Sequence, residues 1–260
     1  MRKFLSVLIL SSIAVAAHAQ SWEVGASVGG TGYMGDLNPN NPVLLSGSNA
    51  GLVVKRNFDQ YLSVRLSASY ATISGADSVS SNPQFVNRNL SFRTQIRELS
   101  LVGELNFMKY IPSVTTNRWT PYFFAGGALT AFNPQAVYNG QTYNLQPLHT
   151  EGQTENYRNK TWAAVYGAGV KVNFTDSWNL IADIGYRHAF SDYLDDVSGV
   201  YAPVSSFPGG PTSLSFALAD RGKTPAYPGT QRGDFRPHDT YLFLNLTLTY
   251  TFLTAKCYFQ

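Results

Sequence analysis

Residues 241–252, YLFLNLTLTYTF, alternate apolar and polar side chains almost without a break. Leu242, Leu244, Leu246, Leu248, Tyr250 and Phe252 share one parity, and Asn245, Thr247, Thr249 and Thr251 the other. Successive side chains of a strand point to opposite faces, so the segment has one apolar face and one polar face. It is long enough to cross a bilayer as a tilted strand, which takes about 9–11 residues.

Seven earlier segments read as strands too: 22–30, 50–57, 61–73, 95–107, 122–132, 162–174 and 178–190. In the third, Leu62, Val64, Leu66, Ala68 and Tyr70 oppose Ser63, Arg65, Ser67 and Ser69. In the fourth, Leu99, Leu101, Leu105 and Phe107 oppose Glu98, Ser100, Glu104 and Asn106. The seventh sets Leu180, Ala182, Ile184 and Tyr186 against Asn179, Asp183 and Arg187. The fifth is ambiguous, because Phe123, Phe124, Ala128 and Leu129 occupy both parities. The pattern predicts an all-β chain, an eight-stranded antiparallel transmembrane β-barrel.

Charge placement supports that reading. Glu23, Lys55, Arg65, Glu98, Glu104, Lys171, Asp183 and Arg187 all fall on the polar parity. A charge on the lipid face near mid-membrane costs about 2–4 kcal/mol, whereas the lumen accepts it. Arg97 and His188 lie on the other parity, near strand ends where that penalty fades. A lumen with both signs of charge implies ion pairs, and eight strands leave an interior filled by side chains, not a wide pore.

The connections alternate in length. Residues 57–60 and 174–177 are tight turns, and 109–120 is a longer connection on the same side. The other side carries 31–49, 74–94, 133–161 and 191–240. Outer-membrane barrels have short periplasmic turns and long external loops, so both chain ends are expected in the periplasm. Trp22, Tyr61, Tyr110, Trp119, Tyr122, Trp178 and Tyr250 fall near strand ends, as aromatic girdles would. A soluble secreted sandwich has similar composition but shorter strands.

Residues 1–19 read as a signal peptide, leaving 20–260 as the barrel domain. Arg2 and Lys3 precede a run of about 13 mostly apolar residues, and Ala17-His18-Ala19 is a cleavage site. The run is shorter than the ~20 residues of a spanning helix. Without Arg2 and Lys3 the chain has 17 basic residues of its 19, against 16 acidic, which gives no electrostatic support for nucleic-acid binding. The single cysteine, Cys257, excludes an intrachain disulfide; a free thiol and an intermolecular bridge both stay open.

Several segments resemble a family of small outer-membrane barrels of the Bacteroidetes, the PorG-like family. They are 29–39 (GGTGYMGDLNP), 89–93 (NLSFR) with 98–100 (ELS), 120–127 (TPYFFAGG) and 132–136 (FNPQA). Residues 143–152 (YNLQPLHTEG), 185–187 (GYR) and 192–198 (DYLDDVS) complete the set. The resemblance implies an outer-membrane subunit of the type IX protein secretion system. Such a subunit associates with a periplasmic ring of a lipoprotein and its partner, and is not itself the translocating channel. The proline- and glycine-rich stretch 200–236 and the Cys257 tail have no counterpart in it.

Candidate sites are few. Asp192, Asp195 and Asp196 could offer carboxylates to calcium, although their spacing fits no EF-hand loop. Arg232-Gly233-Asp234 spells an integrin-type tripeptide. His149, His188 and His238 lack metal-ligand spacing, and no Gly-x-Ser-x-Gly elbow is present, so neither a cofactor nor an enzyme is expected. Gly29, Gly30, Gly32 and Gly35 suit a tight turn at a barrel rim better than a phosphate loop. The expected function is structural or anchoring, with lipids and periplasmic ring proteins as partners. Within the 109–120 connection, Tyr110, Arg118 and Trp119 are the expected partner contacts. A small-solute channel or ligand-binding barrel is the alternative.

Overall fold

The computed structural model describes residues 21–38, 43–112 and 115–253. The signal segment and Cys257 lie outside the described residues. Nine strands form among the described residues: β1 (Ser21–Met34), β2 (Leu45–Asn57), β3 (Leu62–Ala76), β4 (Ser91–Asn106), β5 (Trp119–Tyr138), β6 (Gln141–Asn144), β7 (Lys160–Asn173), β8 (Trp178–Ala189) and β9 (Thr240–Leu253). All pairings are antiparallel, and the β4–β5 and β1–β9 ladders close eight strands into a barrel. Short helices α1 (Pro83–Arg88) and α2 (Leu214–Ala219) stand in the connections on the long-loop side. No helix among the described residues is long and apolar enough to cross a membrane.

The closed barrel follows from the medium. Hydrocarbon offers no partner to a backbone amide, so a sheet can span it only without edges. Its outer wall is correspondingly apolar, with Leu52, Leu66, Leu101, Phe123, Leu244 and Leu246 exposed. Trp22, Tyr61, Trp119 and Trp178 ring the short-turn end, and Tyr70, Trp162 and Phe190 the opposite one. Arg56 lies over Trp22 at 5.2 Å in the lower girdle. An apolar band between aromatic girdles is the surface of an outer-membrane protein, and the chain resides in the outer membrane.

The strands outrun the sequence expectation, mostly at the long-loop end. β2 starts at Leu45 instead of 50, β4 at Ser91 instead of 95, and β5 runs to Tyr138 instead of 132. The extension carries Arg93 outward, so the wall turns polar there and stands in water above the apolar band. β6 falls within the 133–161 connection, which the sequence pattern presents as loop. It pairs with the end of β5 through Asn139-Gly140, both at positive φ (50° and 78°), a two-residue hairpin turn that Asn-Gly favours. At the opposite end, Asp59 Oδ1 accepts the Tyr61 and Leu62 amides at 2.7 and 2.8 Å and tightens the β2–β3 turn.

The ambiguous fifth strand resolves cleanly. Phe123 and Leu129 face lipid, while Tyr122, Phe124 and Ala128 face inward. Phe124 fits because β7 and β8 present glycine to it. A Cβ at Gly167 would lie 2.5 Å from the ring and one at Gly185 2.8 Å. Tyr110 and Tyr122, expected in the girdles, are both buried inside the barrel, where their hydroxyls find partners that lipid cannot supply.

Two predictions test this wall. Thr247 borders a small void beside Arg65 and Arg187, whereas Leu246 faces lipid. Leu246→Arg should therefore cost assembly about 2–4 kcal/mol while Thr247→Asp is tolerated, read as the heat-modifiable folded fraction on gels. In a Cys257→Ser background, a cysteine at Gly209 should react with a membrane-impermeant thiol reagent in intact cells. One at Asp176 should be protected, and the reverse labelling would invert the topology.

Candidate functional site

The barrel interior is the most elaborated part of the molecule. The eight charged residues on the polar parity, Glu23, Lys55, Arg65, Glu98, Glu104, Lys171, Asp183 and Arg187, all have buried side chains inside it. Strand register stacks them in layers, since Glu23 pairs with Lys55 across β1–β2 and Lys55 with Arg65 across β2–β3. Glu104 is the hub. Its Oε2 accepts from Lys171 Nζ at 2.6 Å and from Ser63 at 3.0 Å, and Arg65 Nε lies 2.9 Å from Oε1. Arg65 continues to Asp183 at 2.8 Å, which also accepts the Tyr122 hydroxyl at 2.8 Å. Lys55 pairs with Glu23 at 2.9 Å, and Asn57 and Thr249 donate to the same carboxylate at 2.7 Å each.

Nearer the long-loop side, Arg187 lies 3.4 Å from Glu98 and 4.0 Å above the Phe243 ring, and Tyr241 donates to Glu98 at 2.7 Å. Between these layers is a void of about 20 Å³, room for about one water. The interior is not polar throughout, as the sequence reading implied. Val102, Phe124, Ala163, Val165 and Ile181 form an apolar layer within it, and Ile96, Phe92, Phe132 and Phe243 belong to another.

Both mouths are covered. On the short-turn side Tyr110 and Ile111 turn into the barrel. Ile111 is buried, and Tyr110 donates to Asn179 Oδ1 at 3.1 Å. Tyr110 is thus no surface contact, correcting the sequence expectation; its ring covers the mouth and its hydroxyl is satisfied within. Arg118 and Trp119 do remain exposed.

On the other side the loops knit into a crown around two buried arginines. Arg88 donates to Asp77 through Nε and Nη2 at 2.7 Å each, to the Asp36 carbonyl at 2.8 Å and to the Arg232 carbonyl. Arg232 donates to Glu151 at 2.9 Å and to the Asp196 carbonyl at 2.7 Å. All four long connections are tied by these two side chains. Arg232 is buried and the Asp234 amide donates to Asp36, so the Arg232-Gly233-Asp234 tripeptide is built into the crown instead of being displayed.

The acidic cluster is also spoken for. Asp195 accepts from the Tyr33 hydroxyl at 2.6 Å and from the Val197 amide at 2.9 Å. Asp196 accepts from Tyr157 at 2.6 Å and from Thr150 at 2.5 Å. Among the described residues no group of three His, Cys, Asp or Glu side chains is arranged to hold a metal. His188 and His238 stack edge-on at 5.0 Å on the outer face, and His149 meets Asn156 at 2.8 Å. The sequence gives no sign of the two arginines. Arg88 ends the six-residue helix α1 and Arg232 sits in a loop, and neither segment is long or regular enough for periodicity to mark a side chain as buried.

Burial pushes the Asp36 carboxyl up to about 8, with the Asp234 and Asp192 charges adding to it against the amide bond from Asp234. Burial likewise raises Asp192 and Asp196 to about 6, the latter held down by Arg232, and raises Asp195 and Asp239 beside Tyr33. A carboxyl raised on folding binds more protons in the closed crown than in an open one. Crown stability from these groups is complete below about pH 4 and declines as pH rises through 6 to 8. A nitroxide at Ser205 in a Cys257→Ser background should gain mobility between pH 5 and pH 9, and Asp36→Asn should keep it more immobile at pH 9. Identical line shapes at both pH values would count against the assignment.

Several solved outer-membrane structures are similar to the chain. The chain is similar to outer membrane protein W of E. coli (14% identity, TM-score 0.39, 91% of this chain and 100% of that one). It is also similar to OprG of Pseudomonas aeruginosa (11%, TM-score 0.42, 91% and 97%). A major outer membrane protein of Thermus thermophilus matches at 14%, TM-score 0.44, over 90% and 100%. No curated protein matches the chain significantly. The model of a domain of unknown function, DUF6089, matches residues 2–206, and the chain belongs to that family.

Proposed function

We propose that this protein is a non-conducting, non-enzymatic barrel that anchors an envelope complex, and that the complex is the type IX protein secretion machinery. The observation that carries the first part is the filled interior. Ion pairs occupy the lumen, Tyr110 and Ile111 cover one mouth, and the crown covers the other. A transport path would have to break the Glu104 hub, and removing one partner of a buried pair costs about 3–5 kcal/mol. Such a barrel is a rigid object fixed in the outer membrane, suited to holding other proteins. The second part rests on the resemblance of residues 29–39, 143–152 and 192–198 to the PorG-like barrels.

The contacts to the periplasmic ring are assigned to the exposed part of the 109–120 connection. Arg118 stands in water beside Trp119, and arginine and tryptophan are frequent interface anchors. Tyr110 has no part in it.

A tagged barrel purified from outer membranes should bring down the ring lipoprotein and its partner. Arg118→Glu should reduce that recovery several-fold without lowering barrel levels, and purified barrel in planar bilayers should pass no steady current. Normal cargo secretion in a deletion strain, with no ring protein recovered, would overturn the secretion role. Large stable single-channel currents would favour the small-solute channel instead.

A further inference from the structure

On the outer wall, β4, β5 and β7 bring two basic side chains into one row of the sheet. Arg97 pairs with Ala131 across β4–β5, and Ala131 with Lys160 across β5–β7. Neighbouring strands are ~4.8 Å apart, so the two backbones stand roughly 10 Å from one another with only a methyl group between them. Both side chains are exposed on the outward face, and among the described residues neither forms an ion pair. Tyr70 flanks Arg97 on its other side.

The height is informative. Arg97 is ten residues above Phe107, an exposed ring just past the short-turn end of β4. At about 3.3 Å per residue and a tilt near 40°, that is about 25 Å, the height of the apolar band in such barrels. Arg97 thus stands at the level of lipid head groups on the long-loop side, and Lys160, two tilted strands along the same row, lies within several ångströms of that level. Between and below them the wall is dented. Ala50, Ala68 and Ala131 leave a groove of about 700 Å³, bordered by Leu52, Leu99 and Leu129. Its lining is almost wholly apolar apart from the basic rim.

We propose that this groove binds an anionic, phosphate-bearing lipid, its phosphate held between Arg97 and Lys160 and one acyl chain laid against Ala68 and Leu129. Charge complementarity selects this occupant. A protein partner reaching the groove would have to lie in the bilayer, and a zwitterionic lipid gains less from two adjacent cations. Guanidinium and ammonium groups suit a phosphate, and such basic sites at membrane level recognise lipid head groups.

Trp162 pairs with Leu129 and is exposed beside the groove, which makes it a reporter. The full barrel, with Trp22, Trp119 and Trp178 each replaced by Phe, is reconstituted in phosphatidylcholine vesicles. These contain a small fraction of chain-brominated phosphatidylglycerol or of chain-brominated phosphatidylcholine. Quenching of Trp162 should show a roughly thirtyfold preference for the anionic lipid, the order expected of two basic side chains near a charged surface. Arg97→Gln with Lys160→Gln should bring the preference close to one. Ala68→Phe, which fills the groove and keeps both charges, should weaken quenching by the anionic lipid. Heat-modifiability checks that each variant has assembled. Equal quenching by both lipids in the unsubstituted groove, or a preference that survives the double substitution, would overturn the proposal. Loss of the preference in millimolar inorganic phosphate would also overturn it, by identifying a site for the free anion.

Discussion

Glu104 accepts from Lys171 and Ser63 and contacts Arg65, and the rest of the interior is arranged around that carboxylate. Its position is a consequence of closing the sheet. Lipid forces every backbone group of the wall to pair within the wall, and closure then sends every second side chain inward. Eight strands leave too little room for bulk water, so inward polar groups must satisfy one another. The eight inward charges are four acids and four bases, which lets the lumen balance without counter-ions.

Polar and apolar layers alternate along the axis, and each does a different job. The ion-pair layers fix which strand faces which, because a shift of one residue would turn Glu104 and Lys171 toward lipid. The apolar layers around Phe124 and around Phe92 and Phe243 exclude water from the pairs. In that setting a deleted partner is costly, which ties the stability of the barrel to its being closed. The crown extends the same logic beyond the membrane: Arg88 and Arg232 tie the four long connections by ending in their carbonyls and carboxylates.

Function in this reading follows from occlusion and from surface. A filled barrel has little to offer as a conduit, so its chemistry is outside: a polar crown, a short-turn face with Arg118 exposed, and a lipid wall with a basic notch at head-group height. Each of those surfaces is displayed by strands held rigid from within.

Much of this was legible in the chain. Period-2 alternation in residues 241–252, and the confinement of charges such as Lys171 and Asp183 to one parity, were enough for the barrel, its strand number and its lipid face. Both patterns are local consequences of a strand between lipid and lumen. The β5–β6 hairpin was missed in the 133–161 connection, although Asn139-Gly140 is a turn signal that needs no tertiary information. Other features had no local signature. Tyr110 reads as a girdle residue until the connection folds inward to meet Asn179, 69 residues away. Phe124 was ambiguous because only Gly167 and Gly185, on other strands, make space for it inside. Arg88, Arg232 and the Asp36 carboxyl look like ordinary loop charges, and the joint between Arg97 and Lys160 depends on the register of three strands. Except in the fifth strand, the sequence alone determined which face of a strand meets lipid, because that is set by a neighbour two residues away. Which charge meets which, what closes the mouths and how the loops knit were decided only by the tertiary structure, because those contacts join residues that nothing but barrel closure brings together.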